Sequence, residues 1–371
     1  MPSSSREYQQ AEIRIEEQLK QMPDYVKEYV RAKKRAGLSS TTLLEYLYDY
    51  KKFFEWLRLE GIASEPDNAS IPYTVLEKLR KKEVEFFIDY LSEEKIEERQ
   101  GVWKTRSAAR VTRYIQALKS LFNYLTKETE DDDGECYFYR NVMAKITTAK
   151  DKETANHRAR RINSVILNTE EIQNFLFFMK NEYEHTLSKR QKSLFIRDKE
   201  REVAMISLML GSGARVSEIA SLTLSDIDIP KNQIDVIRKG GKADSVNVLP
   251  SSMSDLQAYL SIRKQRYGAT DSDIYVFLSK YKGKAQPITV RAIQKNLKKY
   301  TEAFTYGKAL SPHKLRHSFA SEWLRNGGNL VLLRDQLGHN SIETTSLYTN
   351  LSDRDSQQFM NEIEKNRGNE Q

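Results

Sequence analysis

Apolar residues recur at helical spacing through the first third of the chain. Leu43, Leu47, Tyr50, Phe54 and Leu57 are separated alternately by four and three positions, which makes one stripe along a helix. Thr41 or Thr42 is placed to cap its start, and Gly61 to end it. Val84, Phe87, Ile88 and Leu91 predict a second helix. Val111, Ile115, Leu118, Phe122 and Leu125 predict a third, starting near Ser107. Arg106, Arg110, Arg113 and Lys119 share the other face of that third helix. A helix that packs by its apolar stripe can present such a face to phosphates, and an ordinary solvated face has the same pattern.

The pattern then breaks twice. Glu128 to Glu135 is an acidic run, which DNA would repel and which is expected to point away from it. Lys150 to Arg161 has no apolar period and ends in His157-Arg158-Ala159-Arg160-Arg161, the composition of a linker with a basic end. These breaks divide the chain into an N-terminal helical domain over 1–149, a basic linker over 150–165, and a second domain with a C-terminal tail over 166–371.

Helical spacing resumes at Ile172, Phe175, Leu176 and Met179, with Asn168 and Glu171 as a capping pair. A buried helix is expected over roughly Arg201 to Leu210, broken by Gly211-Ser212-Gly213, with another over Val216 to Leu222. Ile234 to Ile237 and Ser245 to Leu249 predict two strands, with Lys239-Gly240-Gly241-Lys242 in the turn between them. From Ser254 onward the pattern is mainly helical. Ser311-Pro312 is a strong helix start, serine as cap and proline as first helical residue. No internal repeat is visible. The fold class expected is mainly α in two domains, the second carrying a small β-sheet.

Composition narrows the picture. A length of 371 residues suits two domains, and a 39% hydrophobic fraction is enough for real cores. No apolar run approaches the roughly 18 residues of a membrane span, and the N-terminus lacks an apolar signal region. Cys136 is the only cysteine, so an internal disulfide is impossible and a reducing cytoplasm is expected. The net charge of +8 favours a polyanionic partner.

The chemistry lies in four short stretches. His313 and Arg316 sit three apart in the first turn of the helix that Ser311 starts, so they share a face. Arg215 follows the glycines at another helix start. Two arginines can hold the non-bridging oxygens of a phosphodiester and stabilise a pentacoordinate transition state. Tyr348, nine residues beyond His339, can then be the nucleophile. A phenol with a pKa of about 10 is activated by a cationic pocket and a histidine that accepts its proton. A lysine on the turn can protonate the departing 5′-oxygen. The bond energy stays in the phosphotyrosine, so rejoining needs no ATP, metal or other cofactor.

Two rivals stand against this set. His313 and His317 are four apart and could bind zinc, but Lys314-Leu315-Arg316 between them supplies no glutamate, and cysteine ligands are missing. An arginine after a glycine, taken singly, is usually a surface residue. The order and spacing of all the elements together disfavour that alternative.

Gly211-Ser212-Gly213-Ala214-Arg215-Val216-Ser217-Glu218, His313-Lys314-Leu315-Arg316-His317, Leu337-Gly338-His339 and Tyr348-Thr349 resemble the boxes of the tyrosine recombinase (phage integrase) family. The resemblance runs over the whole chain. Residues 134–143, residues 238–248 and the length resemble the single-recombinase branch of the Xer subfamily. The resemblance implies a SAM-like helical core-binding domain followed by a mixed α/β catalytic domain, closing as a clamp on double-stranded DNA. It makes Arg215 and Arg316 the phosphate clamp, His313 a general acid/base and His339 a phosphate ligand. It makes Tyr348 the nucleophile and Glu218 a support for the site. Lys239 matches the family's proton-donating lysine, with Lys242 as the other candidate; Arg238 replaces the glycine common before it. Arg106, Arg110, Arg113, Arg158, Arg160, Arg161 and Lys242 are the expected DNA-binding side chains.

The resemblance further implies a homotetramer on two DNA sites and strand exchange through a Holliday junction. It also implies dimer resolution at a dif-like chromosomal site and an FtsK-like DNA translocase as activator. Phe359, Met360 and Ile363 in the tail would dock on a neighbouring subunit or fold back on their own domain. An integrase or transposon recombinase of the same chemistry, a type IB topoisomerase and a non-catalytic DNA-binding protein are the alternatives.

Overall fold

The computed structural model describes residues 6–99, 101–147, 166–238, 241–304 and 310–338, together with position 364. The chain divides into two compact units, Met1–Asp151 and Lys152–Gln371.

In the first unit, α1 (Arg6–Leu19), α2 (Asp24–Arg35), α3 (Ser40–Leu59), α4 (Tyr73–Lys78), α5 (Lys81–Glu93) and α6 (Ala108–Lys127) surround an aromatic-rich core. The stripe Leu43, Leu47, Tyr50, Phe54 and Leu57 on α3 is buried, as its spacing requires. The cap of α3 is Ser39 rather than Thr41 or Thr42: its hydroxyl accepts from the Thr42 N–H, which puts both threonines inside the first turn. Gly61 follows the helix end with φ +67°. On α6, Ser107 caps as expected, and Val111, Ile115, Leu118, Phe122 and Leu125 are buried. Phe87 of α5 packs edge-on to Phe53 of α3, ring centroids 5.0 Å apart. Tyr50 reaches from α3 to donate to the Ala117 carbonyl on α6.

The hairpin β1 (Lys95–Arg99) and β2 (Val102–Thr105) between α5 and α6 was not anticipated. Its first strand, Lys-Ile-Glu-Glu-Arg, has no run of alternating apolar residues to announce it. The acidic loop is closed by its own side chain: the Asp131 carboxylate accepts from the Asp133 and Glu135 N–H groups, 3.0 Å each.

The second unit opens with α7 (Thr169–Phe177), where Asn168 and Glu171 cap reciprocally. Helix α8 (Lys189–Ser212) is longer than the buried stretch alone suggests. Its charged first half, Lys189 to Glu200, conceals the apolar signal, whereas every residue from Val203 to Leu210 is buried. Gly211 does not break the helix. A Cβ there would lie 2.1 Å from Ser252 Oγ, so it is a close-approach point for α10 (Pro250–Tyr267). The helix ends at Gly213, φ +66°.

A short helix α9 (Val216–Ser221) leads to an antiparallel sheet ordered β3 (Ile227–Asp228), β4 (Gln233–Ile237), β5 (Ala243–Asn247). The second strand starts two residues before the position expected, because Ile237 pairs with Ala243. A further hairpin, β6 (Leu278–Tyr281) and β7 (Lys284–Pro287), interrupts the stretch expected to be helical. Its two-residue turn, Lys282-Gly283, has φ +49° and +79°, which matches the twist of the strands it joins. Then come α11 (Val290–Ala303), α12 (Pro312–Arg325) and α13 (Leu330–Leu337). Ser311 caps α12 by accepting from the Lys314 N–H, with Pro312 at its first position. The protein is therefore mainly α with small antiparallel sheets. Among the described residues, no helix is long and apolar enough to cross a membrane.

Candidate active site

The site is built around the C-terminus of α13. The last carbonyls of a helix lack partners within it and form the negative end of its dipole. Here three successive carbonyls each accept from a different arginine. Arg238 Nη2 donates to the Gln336 carbonyl at 2.7 Å, Arg316 Nη2 to that of Leu337, and Arg215 Nη2 to that of Gly338 at 3.3 Å. Three segments distant in sequence thus converge on one turn of backbone. The Gln336 side chain fastens the same turn. Its amide donates to the Ser212 and Asn247 carbonyls at 2.9 and 2.7 Å and accepts from the Asn247 N–H.

Local structure explains how each arginine arrives. Gly213 lets the chain leave α8 in a left-handed conformation, and a Cβ there would lie 2.5 Å from the Phe319 ring. Two residues later Arg215 caps α9. Its N–H donates to Glu218 Oε2 at 2.7 Å, and its Nη1 to Glu218 Oε1 at 2.9 Å. Glu218 is buried, and its Oε2 also accepts from Arg238 Nη1 at 3.1 Å. Arg316 is 2% exposed, and its Nη1 donates to the Gly213 carbonyl at 2.7 Å. Gly338 ends α13 at φ +61° with no room for a side chain: a Cβ would sit 2.6 Å from Arg238 Nε.

His313 lies one turn before Arg316 on α12. Burial, then the positive charges of Arg316 and Arg215, hold its imidazole below the ordinary value of 6.5. It is therefore neutral near pH 7 and able to accept a proton. Its ring lies 4.3 Å, centroid to centroid, from that of His317. Among the described residues, no three histidine, cysteine or carboxylate side chains cluster as metal ligands.

Of the residues expected from the sequence, Arg215, Glu218, His313 and Arg316 come together here. Lys242 lies in the β4–β5 turn, exposed, its carbonyl accepting from the Arg238 N–H at 2.8 Å. Lys239, His339, Tyr348, Arg158, Arg160 and Arg161 lie outside the described residues, as do Phe359, Met360 and Ile363. Arg106, Arg110 and Arg113 belong to the first unit, where each faces a carboxylate. Arg106 pairs with Glu94 at 2.6 Å. Arg110 and Arg113 both meet the fully buried Asp49, at 2.9 and 3.2 Å, and Arg113 also pairs with Glu45. Arg110 and Arg113 thus tie α6 to α3, and Arg106 ties the chain before α6 to the residue after α5, while Arg110 and Arg113 remain partly exposed. Sequence reasoning gave no role to Arg238 or Gln336. The only signal was an arginine at 238 where the related pattern has glycine.

Known proteins resemble the chain along most of its length. The model of the phage integrase family matches residues 167–355. Tyrosine recombinase XerS of Streptococcus thermophilus is 44% identical over 342 residues, covering 91% of this chain and 94% of that protein. Among solved structures, the XerH site-specific recombinase bound to difH substrate aligns with TM-score 0.54 at 23% identity, covering 84% of this chain and 76% of that one. The Tn1549 transposon integrase in complex with circular intermediate DNA aligns with TM-score 0.59 at 18% identity, covering 91% and 99%. At those identities the structural likeness is one of fold, and the sequence matches carry the family. The chain belongs to the phage integrase family, the site-specific tyrosine recombinases that cleave DNA and exchange its strands.

Proposed function

We propose that this recombinase cleaves double-stranded DNA by attack of the Tyr348 phenolate on a phosphodiester, with Arg215 and Arg316 as the clamp on the phosphate. His313, held neutral, accepts the phenolic proton. The tyrosyl oxygen bonds to phosphorus as the bond to the 5′-oxygen breaks, leaving a 3′-phosphotyrosine. Lys239, which lies between β4 and β5 in sequence, protonates the departing 5′-oxygen, and Lys242 is the alternative donor. His339, which directly follows the arginine-held turn in sequence, completes the phosphate contacts. Rejoining reverses these steps with a 5′-hydroxyl from the partner duplex as nucleophile. Because the phosphodiester energy is retained, the cycle uses no nucleotide and no metal.

The observation that supports this reading most is the pair of guanidiniums, Arg215 and Arg316, on adjacent carbonyls beside a neutral His313. The matches to XerS proteins and to XerH on its difH substrate favour a dif-like chromosomal site as target. On this reading a homotetramer joins two such sites, and an FtsK-like translocase is its activator. The N-terminal unit then serves as the core-binding domain. A nicked suicide substrate carrying the site tests the chemistry: wild type should accumulate a covalent DNA adduct, also in EDTA, and Tyr348→Phe should form none. Absence of an adduct from wild type, or its retention in Tyr348→Phe, defeats the proposal. Relaxation of arbitrary supercoiled DNA in place of exchange would make the protein a topoisomerase instead.

A further inference from the structure

Arg238 has no part in that scheme, yet its side chain is tied at three points. It is 7% exposed, and its guanidinium reaches three elements. Nη1 donates to Glu218 Oε2 at 3.1 Å, Nε to Asp244 Oδ2 on β5 at 2.9 Å, and Nη2 to the Gln336 carbonyl at the end of α13. The chain at Gly338 passes so close that only a hydrogen fits against this guanidinium. Burying a cation only to fill space would be a poor choice, since an apolar residue packs there without desolvating a charge. The geometry exploits what a guanidinium alone has, a planar fork whose donors point in several fixed directions.

The partner that matters is Glu218. Its two oxygens are divided, Oε1 on Arg215 Nη1 and Oε2 on the Arg215 N–H and Arg238 Nη1. One carboxylate between two guanidiniums orients both. Were Arg238 absent, Glu218 would face Arg215 alone, as an ordinary ion pair, and the Gln336 carbonyl would lose its donor.

We propose that Arg238 is a positioning residue for the phosphate clamp: by sharing Glu218 and gripping the α13 C-terminus, it fixes the direction in which Arg215 meets the DNA phosphate. The inference rests on Arg215 being a clamp arginine, so Arg215→Ala serves as the reference in every measurement. The experiment is single-turnover adduct formation by wild type, Arg238→Gln, Arg238→Lys and Arg215→Ala. Each is assayed on a suicide substrate with a natural scissile phosphate, and on one in which a methylphosphonate removes its negative charge.

With the natural phosphate, Arg238→Gln should form adduct about 10- to 100-fold more slowly, the scale of a misdirected catalytic group. DNA-site affinity should stay near wild type, while the melting temperature should fall in both Arg238 variants, because buried Glu218 and the Gln336 carbonyl lose donors. The comparison of the two substrates separates that loss from the effect on the clamp. Arg238→Lys should remain slow, because it keeps the charge but not the fork. On the methylphosphonate the deficit of both variants should shrink, in parallel with that of Arg215→Ala, because the clamp no longer has an anion to hold. An equal deficit on both substrates overturns the proposal, as does an unchanged rate on the natural one. Rescue by a 5′-phosphorothiolate, whose leaving group needs no proton, would move the effect to the lysine on the turn and likewise overturn it. If Arg215→Ala itself cleaves normally, the clamp reading fails, a result distinct from failure at Arg238 alone.

Discussion

Each unit gathers three arginines, and the two sets are partnered differently. Arg106, Arg110 and Arg113 around α6 each face a carboxylate, with Asp49 fully buried between two of them. Burial pushes the Asp49 carboxyl above its ordinary value, and Arg110 and Arg113 pull it back only in part. Arg215, Arg238 and Arg316 instead donate to three consecutive backbone carbonyls, and two of them share Glu218. Each set shares one buried carboxylate between two arginines, Asp49 in the first and Glu218 in the second, where Arg238 also pairs with Asp244. What distinguishes the second set is the α13 carbonyls, which orient its guanidiniums without adding negative charge of their own. The first arrangement holds helices together. The second prepares a cationic pocket before any phosphate arrives, which is what transition-state stabilisation requires.

The largest expected effect separates the two sets directly. Arg316→Ala should slow single-turnover cleavage by about 10³-fold. It should also lower stability in denaturant titration, because the Gly213 and Leu337 carbonyls lose a buried donor, at about 1–3 kcal/mol for each group left unpaired. Arg316→Lys should not recover the rate, since one ammonium cannot span both carbonyls.

The α6 set should behave in the opposite way. Arg110→Ala with Arg113→Ala leaves Asp49 buried and unpaired, costing about 3 kcal/mol of unfolding free energy. Adding Asp49→Asn should return part of that loss. The dependence of DNA affinity on salt should stay nearly unchanged; a log–log slope shallower by about 2 would make both arginines phosphate contacts and dissolve the contrast.

A smaller effect compares two glycines of similar φ. Gly61→Ala meets nothing within 4 Å, so it should cost only the backbone strain of about 1–2 kcal/mol, with cleavage intact. Gly338→Ala carries the same strain, and its Cβ would also strike Arg238. It should therefore lose cleavage activity too, measured as adduct yield.

The smallest effect is in pH. A depressed His313 pKa means that the neutral base persists to lower pH than a free imidazole would, and is lost only as the pH falls through the lowered value. The acid limb of single-turnover kcat/KM should lie below 6.5. His313→Gln should be slow and flat across that range.

Much of the fold was legible locally. The alternating four-and-three stripe of α3, the Asn168–Glu171 capping box and the Ser311-Pro312 start depend on residues within a turn or two of each other. Elements without a local signal have physical causes for its absence. The charged half of α8 masked its helix, and β1 offered no alternation. The β6–β7 hairpin was hidden because its turn signal, Lys282-Gly283, sits among polar residues. In the site, the spacing of Arg215, His313 and Arg316 marked out the residues that come together. The basic stripe on α6 was equally visible, but its meaning depended on Asp49, more than sixty residues earlier.

The sequence by itself determined which segments become helices, where they are capped, and which side chains carry phosphate chemistry, because periodicity and motif spacing are properties of neighbours along the chain. Only the tertiary structure decided what each arginine faces. Arg110 and Arg113 meet a carboxylate presented by α3; Arg215, Arg238 and Arg316 meet the carbonyl end of α13. That choice sets which directions their donors are held in, and it is made by the packing of elements remote in sequence.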